Sequence, residues 1–190
     1  MDLYRYISQN TSPIRGNLGF EINMSLSTKN GNDEIYTPDK LTFEIIKHFN
    51  PTGNLLEPCR GTGSFYYNMI THAGKCNWCE ITEGIDFFKN TFKDKQFDWI
   101  VTNPPWGYYR KFLNESMRVA NNIVFLCLIN HLFMKARLRD VEENKFGIKE
   151  ILKVKEPTNK EWPKTGFQLG VIHLQHNYIG DIKFGELNWA

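Results

Sequence analysis

The residues best suited to chemistry in this chain stand together at 103–106. Phe97-Asp98-Trp99-Ile100-Val101-Thr102 reads as an apolar strand and runs directly into Asn103-Pro104-Pro105-Trp106. Neither proline can donate to a sheet ladder, so the strand must end there. The stop leaves an amide side chain, carbonyl oxygens and an indole at the strand's carboxyl end. In an open α/β sheet that end is where ligands bind. Acceptors beside a flat aromatic ring suit a planar substrate carrying an NH2 group.

A second constellation is Leu55-Leu56-Glu57-Pro58-Cys59-Arg60-Gly61-Thr62-Gly63, a strand followed by a glycine turn and a helix start. Gly61 and Gly63 let the backbone approach a ligand closely, and the following helix offers free N–H groups. Glu57 at the strand tip would repel a pyrophosphate and welcome a cation, such as the amino group of a zwitterionic ligand. No Gly-Lys-Ser/Thr follows, which disfavours a nucleotide triphosphatase. Glu80 ends the next expected strand, about twenty residues on, where a carboxylate can accept both hydroxyls of a ribose. Taken alone it would be a surface carboxylate. Asp86 can accept from an adenine amino group while Phe87 packs on the ring, or it can cap the next helix; the two roles can coexist.

Cys76 and Cys79 have a metal-like spacing, yet no second Cys/His pair stands in register, and strand alternation sends the two apart. Buried strand cysteines explain them better, and no metal site is expected. Asn130 and His131 follow the strongest strand and reach the same edge, with helix capping or a core hydrogen bond as their commoner use.

The elements that must position these groups alternate. Thr37-Pro38 reads as a cap followed by proline at the first helical position, opening a helix over 38–49 through Leu41, Ile45, Ile46 and Phe49. Strands are expected at 54–57, 76–81, 97–102 and 123–129. Helices are expected through Tyr66, Met69 and Ile70, weakly at 87–93, and at about 107–120 and 132–143. Strands at 148–154, 168–177 and 181–187 close the chain with no helix between them. This predicts an α/β fold, a Rossmann-like and mostly parallel sheet with helices on both faces and an antiparallel C-terminal hairpin. Residues 1–33 lack periodicity and read as a loosely ordered arm, whose Tyr4, Tyr6, Arg15 and Phe20 could meet a substrate. Residues 34–190 form one domain.

Composition agrees. The 190 residues are 41% hydrophobic and 23% charged, in the globular range. No stretch approaches the ~20 apolar residues of a membrane span. Four cysteines and a start without an apolar signal core predict a soluble, cytoplasmic protein. Net charge is only +2, but its distribution is uneven. Residues 107–165 hold twelve Lys/Arg against seven Asp/Glu, while 1–106 hold ten against twelve. Arg110, Lys111, Arg118, Lys135, Arg137 and Arg139 therefore gather just after the tetrapeptide. Such a face suits a phosphate backbone, although ordinary solvated helix faces look the same by charge alone.

Glycine turn, acidic strand tip, Asp-Phe and Asn-Pro-Pro-Trp occur in that order, each at the end of an expected strand. The ordered set resembles the S-adenosylmethionine-dependent methyltransferases, in particular the amino-methylating group that includes DNA adenine-N6 methyltransferases. Glu34-Ile35-Tyr36-Thr37-Pro38 looks like the segment that holds the methionine moiety in many of them. The motif order is similar to the gamma arrangement of small phage and prophage enzymes, which implies a bacterial or phage-infected cytosol. The resemblance covers 34–130 well and the C-terminal strands more loosely.

It implies S-adenosylmethionine as cofactor. Tyr36, Thr37 and Pro38 would lie near its methionine end, Glu57, Pro58 and the Gly61–Gly63 turn under its centre, Glu80 at the ribose, and Asp86 with Phe87 at the adenine. Asn103 would also touch the cofactor, and Asn103, Pro104, Pro105 and Trp106 would form the catalytic tetrapeptide. Trp106 would stack on a flipped base. Tyr108, Arg110, Lys111, Lys135, Arg137 and Arg139 would contact nucleic acid. DNA adenine is the first expected substrate, RNA adenine the second and a protein glutamine amide the third. A non-catalytic nucleic-acid-binding subunit is the reading from another class. The chain has no room for a separate target-recognition domain, so the arm and the basic 107–164 region, or a partner subunit, would supply recognition.

Overall fold

A computed structural model describes residues 36–89, 92–158, 162 and 164–189. They all fall within the compact unit Asn32–Ala190. The expected N-terminal arm lies outside the described residues.

The described residues open with α1 (Asp39–Phe49), then β1 (Leu55–Glu57) and α2 (Ser64–Ala73). The short β2 (Asn77–Trp78) follows, then β3 (Phe97–Thr102), α3 (Tyr109–Val119), β4 (Ala120–Leu128) and α4 (Lys135–Glu143). Strands β5 (Phe146–Val154), β6 (Leu169–His176) and β7 (Lys183–Leu187) complete one seven-stranded sheet in the order β2-β1-β3-β4-β6-β5-β7. Four of its pairings are parallel, and β6 runs antiparallel to both of its neighbours. The antiparallel hairpin is therefore β5–β6, and β7 adds parallel to β5 as the edge strand.

Period-two alternation divides the core into two layers. Leu56, Ile100, Ile123, Phe125 and Cys127 point toward α3 and α4, where Tyr109, Phe112, Leu113, Met117 and Val141 meet them. Leu55, Val101, Val124 and Leu126 point the other way, toward Leu41, Ile45 and Phe49 of α1 and Phe65 and Met69 of α2. Burying a side chain of this size contributes about 1.5–3 kcal/mol. The unbroken apolar run of β4 follows from its central place, covered on both faces.

Two local expectations change. The extended 76–81 segment pairs in the sheet only at Asn77–Trp78, because Ile81–Glu83 tightens into a 3-10 turn. Thr37 does not cap α1: Pro38 occupies the cap position, the helix starts at Asp39, and its first bond runs from Thr42 N–H to Pro38 O at 3.1 Å. The Thr37 hydroxyl is used elsewhere.

Candidate active site

Strands β1, β3 and β4 are parallel, so their carboxyl ends share one edge of the sheet. The two prolines end β3 there, and Tyr108 N–H closes onto Pro105 O at 2.9 Å, folding Trp106–Tyr108 into a 3-10 turn that leads into α3. Asn103 is thus fixed at the strand tip. Its Nδ2 donates to Thr37 Oγ1 at 3.1 Å. Its Oδ1 is buried and accepts no hydrogen bond, so the amide presents an unpaired acceptor beside the buried ring of Pro104.

Glu57 ends β1 on the neighbouring strand and is 1% exposed. Its Oε1 accepts from the Thr102 hydroxyl and from Cys59 N–H at 3.3 Å, while Oε2 is buried without a partner. Burial pushes its carboxyl up to about 8, outweighing the Thr102 and Cys59 donors that favour the charge. Glu57 is therefore largely neutral at pH 7. Cys59 Sγ lies 2.9 Å from Thr102 Oγ1 and reaches the Asn103 carbonyl at 3.6 Å, tying the β1 turn to the tetrapeptide. Burial holds its thiol well above the usual range, so it stays protonated.

The glycine turn is braced from the next strand. Gly61 and Gly63 have φ of +53° and +96°. Gly61 N–H donates to Glu80 Oε2 at 2.7 Å, and Glu80 Oε1 accepts from Thr82 N–H at 3.1 Å and Thr82 Oγ1 at 2.8 Å. Burial works to raise this carboxyl, but the Thr82 and Gly61 donors win and hold it below its ordinary value. A carboxylate offers about four acceptor directions. With three used, Glu80 keeps about one acceptor direction free, where the sequence expectation needed two.

Asp86 takes the capping role: its Oδ1 accepts from Phe88 N–H at 2.9 Å at the head of the Phe87–Lys89 turn. Phe87 requires a correction. It is 3% exposed and stacks on Phe112 with centroids 5.6 Å apart, so the core takes the ring face expected for an adenine. Tyr36 is 49% exposed, and its ring lies 3.5 Å from where a Cβ on Gly61 would stand. Pro58 is buried in the turn after β1.

Trp106 is half-buried, edge-on to His131 at 5.9 Å and to Trp162 at 6.2 Å between ring centroids. The Trp106 Nε1, Trp162 Nε1 and His131 Nδ1 atoms are buried without partners. Burial, and then the charge of Arg137, hold His131 below its ordinary value, so it is neutral at pH 7.

The basic residues divide. Arg110 forks onto Asp140 at 2.6 and 2.8 Å, and Arg139 lies 3.8 Å from Glu143. Arg137 bonds the His131 carbonyl and lies 5.0 Å from the Tyr109 ring centroid, so it braces the edge. Lys111 Nζ rests 4.2 Å from the Phe88 ring centroid, Lys135 opens α4, and Tyr108 is exposed. The expected phosphate face is thus partly spent on internal pairs.

Sequence reasoning missed Thr102, Cys59 and Trp162. Thr102 precedes the tetrapeptide and Cys59 lies within the Leu55–Gly63 segment, and a polar residue at or just past a buried strand tip was the available signal. Trp162 lies in an aperiodic connection and carried none. Among the described residues, no cluster of three or more His, Cys, Asp or Glu could hold a metal ion. No helix among them is long and apolar enough to cross a membrane.

Three solved structures share this fold at low sequence identity. A putative class I S-adenosylmethionine-dependent methyltransferase from Listeria monocytogenes aligns with a TM-score of 0.62 at 11% identity, over 84% of this chain and 68% of that one. A modification subunit of a putative type I restriction enzyme from Vibrio vulnificus aligns at 0.60 and 17% identity, over 80% of this chain and 47% of that one. A putative RNA methyltransferase from Pyrococcus horikoshii aligns at 0.51 and 16% identity, over 73% and 82%. The chain spans about half the length of the Vibrio subunit, 47%. No family model matches the chain, and no curated protein matches it. The likeness defines the fold.

Proposed function

We propose that the chain is an S-adenosylmethionine-dependent methyltransferase acting on the N6 amino group of adenine in DNA, of the gamma-ordered kind resembled by its motifs. The observation that carries this reading is the buried, unpartnered Oδ1 of Asn103, held at a strand tip beside the braced glycine turn. A buried acceptor without a donor costs free energy unless a ligand supplies one. An amino group is that donor.

The residues present fit the cofactor. At Gly61 the turn leaves backbone open, the nearest atom to a Cβ there being Tyr36 at 3.5 Å, and the unpartnered Glu57 Oε2 suits a cationic ligand. Tyr36 and Thr37 would hold the methionine end, Glu80 one ribose hydroxyl and Asp86 the adenine end. When bound, S-adenosylmethionine supplies an electrophilic methyl group on a sulfonium.

An aromatic amine is a poor nucleophile because its lone pair is delocalised into the ring. Asn103 Oδ1 and the Pro104 carbonyl would take its two hydrogens and turn the lone pair toward the methyl carbon. Orientation and electrostatic preparation then do most of the work. The two acceptors hold the nitrogen while it is cationic, and its proton leaves afterwards, so no strong base is needed. Trp106 would hold the ring in plane. Cys59, held protonated by its burial, adds no negative charge that could compete for the amine.

The test is transfer of labelled methyl from S-adenosylmethionine to DNA, RNA and a mixed protein extract, with nucleoside and amino-acid digestion of the product. N6-methyladenine from DNA, lost in Asn103→Ala, is expected. Label in RNA adenine or glutamine would reassign the substrate. Absence of cofactor binding would sink the enzymatic reading altogether.

A further inference from the structure

Four buried polar atoms that lack a partner stand around Trp106, and the chemistry proposed above uses one of them. They are Asn103 Oδ1, Trp106 Nε1, His131 Nδ1 and Trp162 Nε1. Asn103 and Trp106 are three residues apart, so their Cα atoms lie within about 11 Å of each other. Trp162 and His131 meet the Trp106 ring at 6.2 and 5.9 Å between centroids. One site therefore holds all four atoms.

Trp162 reaches this edge because of strand direction. β5 ends at Val154 and β6 begins at Leu169, and β6 runs against both β4 and β5. Both of these ends therefore lie at the carboxyl edge that carries Asn103. The connection between them is fastened to the end of β4, where Ile129 N–H donates to Gln168 O at 2.9 Å. Trp162 is 4% exposed and belongs to the same buried layer as Val154, Leu169 and Leu187. Packing accounts for the body of its indole. It does not account for the N–H, because a buried donor left unpaired is costly and a phenylalanine ring would pack without one.

The four atoms differ in the partners they take. Asn103 Oδ1 only accepts, an indole N–H only donates, and a neutral imidazole nitrogen does either. The amino group of the proposed substrate answers Asn103 and leaves the indoles unanswered. A lone pair next to that amine answers them. Adenine carries one on each side of its amino group, at N1 and at N7.

Ring orientation agrees. The Trp162 plane stands at 76° to that of Trp106. A base lying flat on Trp106 is thus nearly perpendicular to Trp162. In that attitude an indole N–H can lie in the plane of the base and meet a ring nitrogen at its rim.

We propose that Trp162 is a specificity-determining residue whose indole N–H donates to a ring nitrogen beside the adenine amino group, N1 or N7, while Asn103 holds that group. This rests on the adenine methyltransferase reading and specifies how the base is told from other amines.

The experiment offers duplex DNA in which every adenine is replaced by 1-deaza-, 3-deaza- or 7-deazaadenine. Each analogue keeps the amino group and exchanges one ring nitrogen for C–H. Methyl transfer gives kcat/KM and anisotropy gives affinity, for wild type, Trp162→Phe and Trp162→His. Wild type should treat 3-deazaadenine like adenine and lose about tenfold or more in kcat/KM with the 1-deaza or the 7-deaza base. Trp162→Phe should lose about tenfold with adenine and no longer distinguish that analogue, with cofactor affinity unchanged. Trp162→His restores a ring N–H and should recover part of the discrimination. A packing role alone would lower all substrates alike. Equal use of every analogue by wild type, or discrimination that survives in Trp162→Phe, overturns the proposal, while methyl transfer to adenine keeps the enzymatic reading standing. The wild-type series needs no variant, so it decides the matter even where substitution at 162 prevents folding. The same analogue pattern in affinity without methyl transfer would uphold Trp162 and count against the enzymatic reading. Neither transfer nor analogue-dependent affinity sinks both.

Discussion

Asn103 Nδ2 donates to Thr37 Oγ1 at 3.1 Å across 66 residues of chain, and that one bond leaves Oδ1 as the unpartnered atom of the amide. Thr37 is buried, and its hydroxyl has left the helix cap to serve here. Thr37→Val should free the amide to rotate. kcat should fall about tenfold with little change in cofactor affinity, whereas Asn103→Ala should cost about 100-fold or more. Steady-state kinetics paired with calorimetric cofactor binding reads both. A larger effect on binding than on kcat in either variant would mean that the bond only shapes the pocket.

Glu57 sets a pH signature. Its folded value of about 8 lies above the ordinary 4.5, so the folded state holds a proton that the unfolded state releases. The associated stability is fully present below pH 4.5 and is lost as pH rises through 8. Glu57→Gln keeps an acceptor for Thr102 but cannot ionise. Thermal melts should show the variant gaining on wild type between pH 5 and pH 9, and parallel curves would contradict the buried neutral carboxyl. A cationic ligand should also drive the proton off near pH 7, measurable as buffer-dependent binding heat.

His173 works on the acid side. Burial, with Lys149 and His48 adding to it, depresses its value to about 3, and its ring stacks on Trp99 at 5.1 Å. The unfolded histidine takes a proton below about 6.5 that the folded one refuses, so stability falls as pH drops from 6.5 toward 3. The loss amounts to as much as roughly 5 kcal/mol. Denaturant titrations of His173→Phe over pH 4–7 should show a flatter acid limb than wild type.

The two glycines of the turn should fail differently. A Cβ on Gly63 would stand 2.5 Å from the Tyr67 ring at a φ of +96°, so Gly63→Ala should destabilise the fold by about 1–2 kcal/mol or more. On Gly61 a Cβ meets only Tyr36 at 3.5 Å, so Gly61→Ala should lose little beyond the cost of its left-handed backbone. Its larger effect should be on cofactor affinity, through closed access to the turn. Chemical denaturation and cofactor titration separate the two.

Arg110 is predicted to be structural. Its fork onto Asp140 holds that carboxyl below its ordinary range, chiefly by hydrogen bonding, and joins α3 to α4. Arg110→Met should leave Asp140 with Asn114 as its remaining side-chain hydrogen-bond partner and lower the melting temperature. The slope of DNA affinity against salt should stay the same. A slope reduced by about one would return Arg110 to the phosphate face.

Much of the frame was legible because periodicity and proline act locally. The 97–102 strand stops where two residues without N–H groups stand, and β4 shows its central place by an unbroken apolar run. The misreadings fall where local signals meet a long-range competitor. Phe87 has the neighbours of an adenine contact, yet Phe112 from α3 covers its face. Thr37 has the composition of a cap, yet the end of β3 offers its hydroxyl a buried partner. Arg110 counts as a cation in any tally until α4 sets Asp140 against it.

By itself the sequence determined which segments are strands and that Glu57 and Asn103 stand at or just past their ends, although β2 stops at Trp78, short of Glu80. Steric limits on proline, freedom at glycine and the two-residue repeat of strands are properties of neighbours along the chain. Only the tertiary structure decided that Glu80 spends three acceptor directions bracing the glycine turn, that Glu57 is neutral, and that Trp106 stands between His131 and Trp162. Each of these depends on burial and on donors brought from other strands. The cost of removing a charge from water exists only once the sheet has closed around it.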